Sequence, residues 1–128
     1  MKIVLTCGTF DLFHIGHLRI LERARGLGDK LVVGVSSDAL NIKKKSRAPI
    51  MSQEQRMAIV NALKCVDEVF LEESLELKKQ YIRDYRASVF CIGDDWKGKF
   101  DGIADEVVYF ERTPAVSTTE IIEKISNI

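Results

Sequence analysis

KIVLTCGTFDLFHIGH, Lys2 to His17, runs from an apolar segment through a glycine into a turn, and ends on two histidines three residues apart. The apolar part, Lys2 to Thr6, predicts a first strand. Gly16 to Leu27 predicts a helix, with Leu18 and Leu21 on one side and Gly28 as its stop. A strand that passes through a glycine turn directly into a helix is the opening of a parallel α/β unit. The rest of the chain repeats that alternation. Strands are predicted at Lys30 to Val35, Val66 to Leu71, Ala87 to Ile92 and Glu106 to Phe110. Helices are predicted from Ser52 to about Lys64, from Leu75 to Tyr85, and from Ser117 onward. Ser52 with Gln55 forms a capping-box pattern. Ser36 to Ile50 reads as irregular and basic.

Nearly unbroken apolar strands separated by helices imply a parallel sheet covered on both faces. The expected fold is α/β, a three-layer Rossmann-like sandwich with a five-stranded parallel sheet. At 128 residues it should form one domain, residues 1–128. In such sheets ligands bind beyond the carboxyl ends of the strands. GTFD, SSDA, GDDW and the segment after Phe110 all follow strands, so one rim should gather them.

Composition narrows the function. The chain has 19 basic and 19 acidic residues, hence no formal net charge. The basic excess of a nucleic-acid binder is missing. No apolar stretch approaches the roughly 18 residues of a membrane span. The N-terminus enters a strand at once, so no leader is expected and the location should be cytoplasmic. Cys7, Cys65 and Cys91 are odd in number and lie in or beside apolar runs, which suits buried free thiols in a reducing compartment. Cys7 ends the first strand and could approach a ligand.

The rim segments supply the chemistry. Gly8 permits a tight turn or close approach of backbone to ligand. His14 and His17 share a side if they lie on one helical turn. Amides near Gly16 would be open to a phosphate, with imidazoles beside them to hydrogen-bond oxygens as charge develops. No GxGxxG fingerprint is present. Ser117, Thr118 and Thr119 open the last helix, where hydroxyls and free amides make an anion site, although the same residues also serve as ordinary caps. Arg112 can fork onto phosphate. Lys43, Lys44, Lys45 and Arg47 follow the second strand and could neutralise phosphate charge. Asp94 and Asp95 follow the fourth strand and could bind Mg2+ or a hydroxylated acceptor. Trp96 reads as a pocket wall or a local anchor.

GTFDLFHIGH resembles the first signature of the HxGH nucleotidyltransferases. RTPAVSTT, Arg112 to Thr119, resembles the RTxGxSTT signature of their cytidylyltransferase branch, with Ala115 where the glycine usually stands. GDDWKGKFD, Gly93 to Asp101, is similar to the matching stretch of bacterial glycerol-3-phosphate cytidylyltransferases. That family joins CTP and sn-glycerol 3-phosphate into CDP-glycerol, releasing pyrophosphate, for teichoic-acid-type polymers. The resemblance implies Mg2+ with CTP as co-substrate, and a homodimer. It implies that Gly8, Thr9, Phe10, Gly16 and Asp94 line the nucleotide, with Asp11 orienting the turn. His14 and His17 should contact the phosphates at the reacting phosphorus. Arg112, Thr113, Ser117, Thr118 and Thr119 should grip the outer phosphates or the cytosine side. Lys44 and Lys78 should reach the acceptor, with Lys79 the immediate rival of Lys78, and Asp95 and Trp96 should border it. Lys45 and Arg47 both remain candidates for CTP. Arg56 should be a phosphate ligand or a dimer contact. Related readings are a different phosphorylated acceptor, or adenylyl transfer with ATP.

Overall fold

A computed structural model describes residues 1–111 and 117–128. Five strands, β1 (Ile3–Gly8), β2 (Lys30–Ser36), β3 (Glu68–Glu72), β4 (Val89–Gly93) and β5 (Glu106–Phe110), form one sheet in the order β3-β2-β1-β4-β5. Every pairing is parallel. The helices are α1 (Ile15–Arg25), α2 (Asp38–Lys45), α3 (Gln53–Asn61), α4 (Lys78–Asp84) and α5 (Thr118–Ser126). Single 3-10 turns occupy Leu75–Leu77 and Asp94–Trp96.

The core lies on both faces of the sheet, because side chains alternate along each strand. Val4, Leu31, Val33, Val35 and Val89 face Leu21 and Ala24 of α1 and Val60 of α3. Leu5, Cys7, Val32, Phe90 and Ile92 face Ile82 of α4. Strands buried on both sides explain their continuous apolar runs. Chain order reverses between β1 and β4, so their carboxyl ends diverge into a crevice at Gly8 and Gly93.

One segment differs from the sequence reading. Ser36 to Ile50, expected to be irregular, contains α2. Ser37 caps it by accepting from the Leu40 amide at 3.0 Å. Its buried side carries Asn41, whose amide donates to the Ser37 carbonyl at 3.0 Å. Lys43, Lys44 and Lys45 complete its last turn, where cations suit the carbonyl end. The Ser52 hydroxyl accepts from the Gln55 amide, as the capping pattern predicts. Cys7 and Cys91 are buried and Cys65 half-buried, all as free thiols. No helix among the described residues is long and apolar enough to cross a membrane.

Candidate active site

The loop after β1 holds an unusual backbone. Phe10 and Leu12 have φ of 57° and 47°, the left-handed region that bulky residues rarely enter. Each such residue costs on the order of 1–3 kcal/mol unless its surroundings enforce it. Here they do. The Asp11 carboxylate accepts from the amides of Leu12 (3.1 Å), Ile50 (2.7 Å) and Met51 (2.9 Å). The Thr118 hydroxyl donates to the Asp11 carbonyl at 2.8 Å, tying the start of α5 to this loop. The Thr9 hydroxyl donates to Asn41 Oδ1 at 2.8 Å. Gly8 is required by proximity: a Cβ there would lie 2.8 Å from the Phe10 ring. The expected turn-orienting place of Asp11 matches this geometry.

Both histidines belong to the N-terminus of α1. His14 is the N-cap, and its Nδ1 accepts from the Gly16 amide at 3.1 Å. His17 Nδ1 accepts from the His14 amide, also at 3.1 Å. The rings stack with centroids 3.7 Å apart. A nitrogen that accepts carries no proton, so each neutral ring bears its hydrogen on Nε2. Burial holds the His17 pKa down at about 3, with the neighbouring His14 ring adding to the shift. Burial also lowers that of His14. At neutral pH both are therefore uncharged donors. His14 Nε2 is shielded from solvent and has no hydrogen-bond partner among the described residues. The Gly16 amide, expected to be open to a phosphate, is instead taken by the His14 ring.

A cavity of about 570 Å³ opens beside this loop. Of the expected site residues, Gly8, Thr9, Phe10, His17, Thr118 and Thr119 line it along β1, α1 and α5. Lys44, Lys45, Arg47, Lys78, Asp95 and Trp96 line the remainder. Trp96 is both wall and anchor, since its ring packs 5.5 Å from that of Phe100. Ser117 caps α5, accepting from the Glu120 amide at 3.1 Å. His14, Gly16, Asp94 and Ser117 are not among the lining residues. Asp94 begins the 3-10 turn and its carbonyl accepts from the Lys97 amide. Arg112 and Thr113, with Ala115, fall outside the described residues.

Arg56 is placed differently from the expectation of a phosphate ligand or dimer contact. It is 1% exposed. Its Nε donates to the Met51 carbonyl (3.0 Å), and Nη1 donates to the carbonyls of Thr9 (2.8 Å) and Ser36 (2.7 Å). Nη2 pairs with Asp38 Oδ1 at 2.7 Å. The guanidinium thus fastens the ends of β1 and β2 to the starts of α2 and α3 from beneath the cavity. Its donors are thus committed to acceptors within the chain.

Sequence reasoning missed Glu72 and Ser36, which also line the cavity. Glu72 is 1% exposed and pairs with Lys78, itself 2% exposed. Its Oε1 accepts from Ser36 Oγ at 3.0 Å, and Ser36 Oγ accepts from Lys44 Nζ at 3.4 Å. Burial lowers the Lys44 pKa. Cys7 adjoins the same carboxylate, and burial raises its thiol well above the usual range, so it stays protonated and neutral.

A family model of cytidylyltransferase-like proteins matches residues 5–124. The chain is 50% identical to the glycerol-3-phosphate cytidylyltransferase of Bacillus subtilis (strain 168), over all of both chains. The chain belongs to the glycerol-3-phosphate cytidylyltransferase family. It is 39% identical to the enzyme of that name from Staphylococcus aureus (strain NCTC 8325 / PS 47), covering 98% of this chain and 96% of the relative. The crystal structure of a lipopolysaccharide core biosynthesis protein from Thermoplasma volcanium GSS1 superposes with a TM-score of 0.76 at 27% identity, covering 88% of this chain and 98% of that one. This family member is thus a cytidylyltransferase acting on a phosphorylated alcohol. The neutral His17 ring, Thr118 and Thr119 share the cavity lining with Lys44, Lys45 and Lys78.

Proposed function

We propose that the enzyme transfers CMP from CTP to sn-glycerol 3-phosphate, giving CDP-glycerol and pyrophosphate for teichoic-acid-type polymers. The observation that carries this reading is the mixed lining of the cavity. Beside β1, His17 of α1 and Thr119 of α5 line the cavity with an uncharged N–H and a hydroxyl, while Lys44 and Lys78 line it beyond β2 and β3. The first suits a triphosphate whose charge shifts during reaction. The second suits a phosphomonoester dianion. The names of the relatives point to the same acceptor.

A phosphate oxygen of the acceptor attacks the α phosphorus in line. The new O–P bond forms as the bond to the β phosphate's bridging oxygen breaks, and pyrophosphate leaves with that electron pair. The nucleophile is already anionic, so no general base is needed. Catalysis is positioning and charge stabilisation. His17 donates from Nε2 to the reacting phosphoryl group, and His14, whose shielded Nε2 lacks a partner among the described residues, joins it once substrate is bound. Gly8, Thr9 and Phe10 border the nucleotide with Lys45 or Arg47. Arg112, Thr113 and Thr119 hold the outer phosphates or the base, and Lys44 with Lys78 holds the acceptor beside Asp95 and Trp96. Among the described residues no three His, Cys, Asp or Glu side chains gather as a metal cage. Mg2+ would accompany the CTP phosphates and supply charge neutralisation there, in a cavity lined by Asp11, Glu72 and Asp95. The working form is a cytoplasmic homodimer of single-domain chains.

Pyrophosphate release tests this reading. CTP and ATP are each offered with glycerol 3-phosphate, choline phosphate, ethanolamine phosphate and sugar phosphates. The largest kcat/KM is expected for CTP with glycerol 3-phosphate. A preference for ATP, or a tenfold preference for another acceptor, would replace it.

A further inference from the structure

The least expected group in the cavity is a carboxylate on the side that should attract anions. Glu72 ends β3, the edge strand, and lies against β2 at Ser36. Both of its oxygens are engaged: Oε2 by Lys78 Nζ and Oε1 by Ser36 Oγ. Ser36 Oγ in turn meets Lys44 Nζ. One buried carboxylate therefore organises both lysines, one directly and one through a hydroxyl. The adjacent Cys7 thiol is neutral, so this corner carries two ammonium groups and one carboxylate. Lys78 also lies over the Phe100 ring, with Nζ 5.4 Å from its centroid. A lysine side chain has four flexible methylenes and a head with no intrinsic direction. Buried against an aromatic ring, its head is aimed by its counterion.

We propose that Glu72 is a positioning residue for the acceptor: it aims Lys78 directly and Lys44 through Ser36 Oγ, so that both ammonium groups meet the acceptor phosphate together. The inference rests on the reading of Lys44 and Lys78 as acceptor ligands. Glu72 acts through these donors, since each of its oxygens is held by a protein group. Its contribution is orientation, and orientation lost at one lysine is transmitted to the other. A purely structural carboxylate would alter folding stability and leave the two substrates' Michaelis constants in their original ratio. A positioning carboxylate alters one of them alone.

The test is steady-state pyrophosphate release by Glu72→Gln, Ser36→Ala, Lys78→Met and the Glu72→Gln/Lys78→Met double variant, with thermal melts of each. Glu72→Gln should raise the KM for glycerol 3-phosphate at least tenfold and leave that for CTP within about twofold. Glu72→Asp should restore part of the loss. Ser36→Ala, which breaks the Lys44 branch alone, should raise the acceptor KM a few-fold, and it stands as the test if Glu72→Gln does not fold. The double variant should be no worse than Lys78→Met by more than about threefold. A fall in the acceptor KM for Glu72→Gln would overturn the proposal, since the carboxylate would then merely compete with phosphate for Lys78. So would equal rises for both substrates, or full additivity in the double variant. An unchanged acceptor KM in Lys78→Met would instead overturn the role given to Lys78. If another phosphorylated alcohol proves the better acceptor, the same ratios measured on that compound decide the role of Glu72.

Discussion

Arg56→Ala should unfold the site from below without removing a ligand. The guanidinium makes four contacts, three to carbonyls and one to Asp38. Removing one partner from a buried charged cluster costs about 3–5 kcal/mol. Two features set the value within that range. Asp38 is part-exposed, so its carboxylate can rehydrate, which lowers the cost. The Ser36 carbonyl ends β2 and the Thr9 carbonyl follows β1, and both lose a donor, which raises it. A loss of about 4 kcal/mol is expected, a large share of the roughly 5–15 kcal/mol that holds a domain together. With about 2.1 cal/mol/K of unfolding entropy per residue over 128 residues, Tm should fall by about 15 °C. Arg56→Lys, which keeps charge but loses the fork, should fall between this variant and the parent. Urea and thermal unfolding measure the loss, and CTP and acceptor KM are read at a temperature where the variant is folded. A loss below about 1 kcal/mol together with a tenfold rise in either KM would refute the argument and return Arg56 to the ligands.

His17→Asn retains an acceptor near the Nδ1 position and removes the Nε2 donor, so turnover should fall about 10²–10³-fold with little change in Tm; turnover within about twofold of the parent would exclude the donor role. The same variant tests pH dependence. Above pH 6.5 the ring is neutral in both folded and unfolded chains, whereas between 6.5 and about 3 only the unfolded chain takes the proton. Stability should therefore fall with pH in that window, by up to about 2 kcal/mol at pH 5 from this ring. Urea midpoints should show a shallower slope for His17→Asn, and parallel curves would contradict the assigned pKa. Gly8→Ala places a methyl against the Phe10 ring and should cost about 1–3 kcal/mol, with a raised CTP KM; a neutral Tm would mean that the ring moves freely. Chelation of divalent cations should stop pyrophosphate release and leave Tm nearly unchanged, and a chelator-induced drop of several degrees would point to a metal held by the protein itself.

The strands were legible because burial on both sheet faces writes continuous apolar runs, and β5 emerges with the bounds read for it, Glu106–Phe110. Helix α2 was not, because Leu40 and a polar Asn41 form its buried side. Its order comes from hydrogen bonds, which leave no period in hydrophobicity. The histidine turn was recognisable by spacing, yet its Nδ1 commitments required coordinates. Arg56 shows the opposite limit: an arginine at the start of a helix has the same sequence signature whether it faces ligand or core. Glu72 fell just beyond the strand read as Val66 to Leu71, and only the three-dimensional meeting of β2, β3 and α4 reveals what it binds. A carboxylate at a strand terminus opposite a lysine-rich segment was the available signal.

The stacked pair at the start of α1 has a consequence for which residues could ever occupy it. Imidazole is an adaptor with opposite polarity on two edges, accepting from a helix amide on one and offering N–H on the other. A lysine or arginine offers donors alone, and a carboxylate at neutral pH acceptors alone. Carboxamides hold both functions at a single tip and cannot span the same gap. Each histidine is thus a joint of the scaffold, and the edge turned away from that joint is the one the proposed reaction would use.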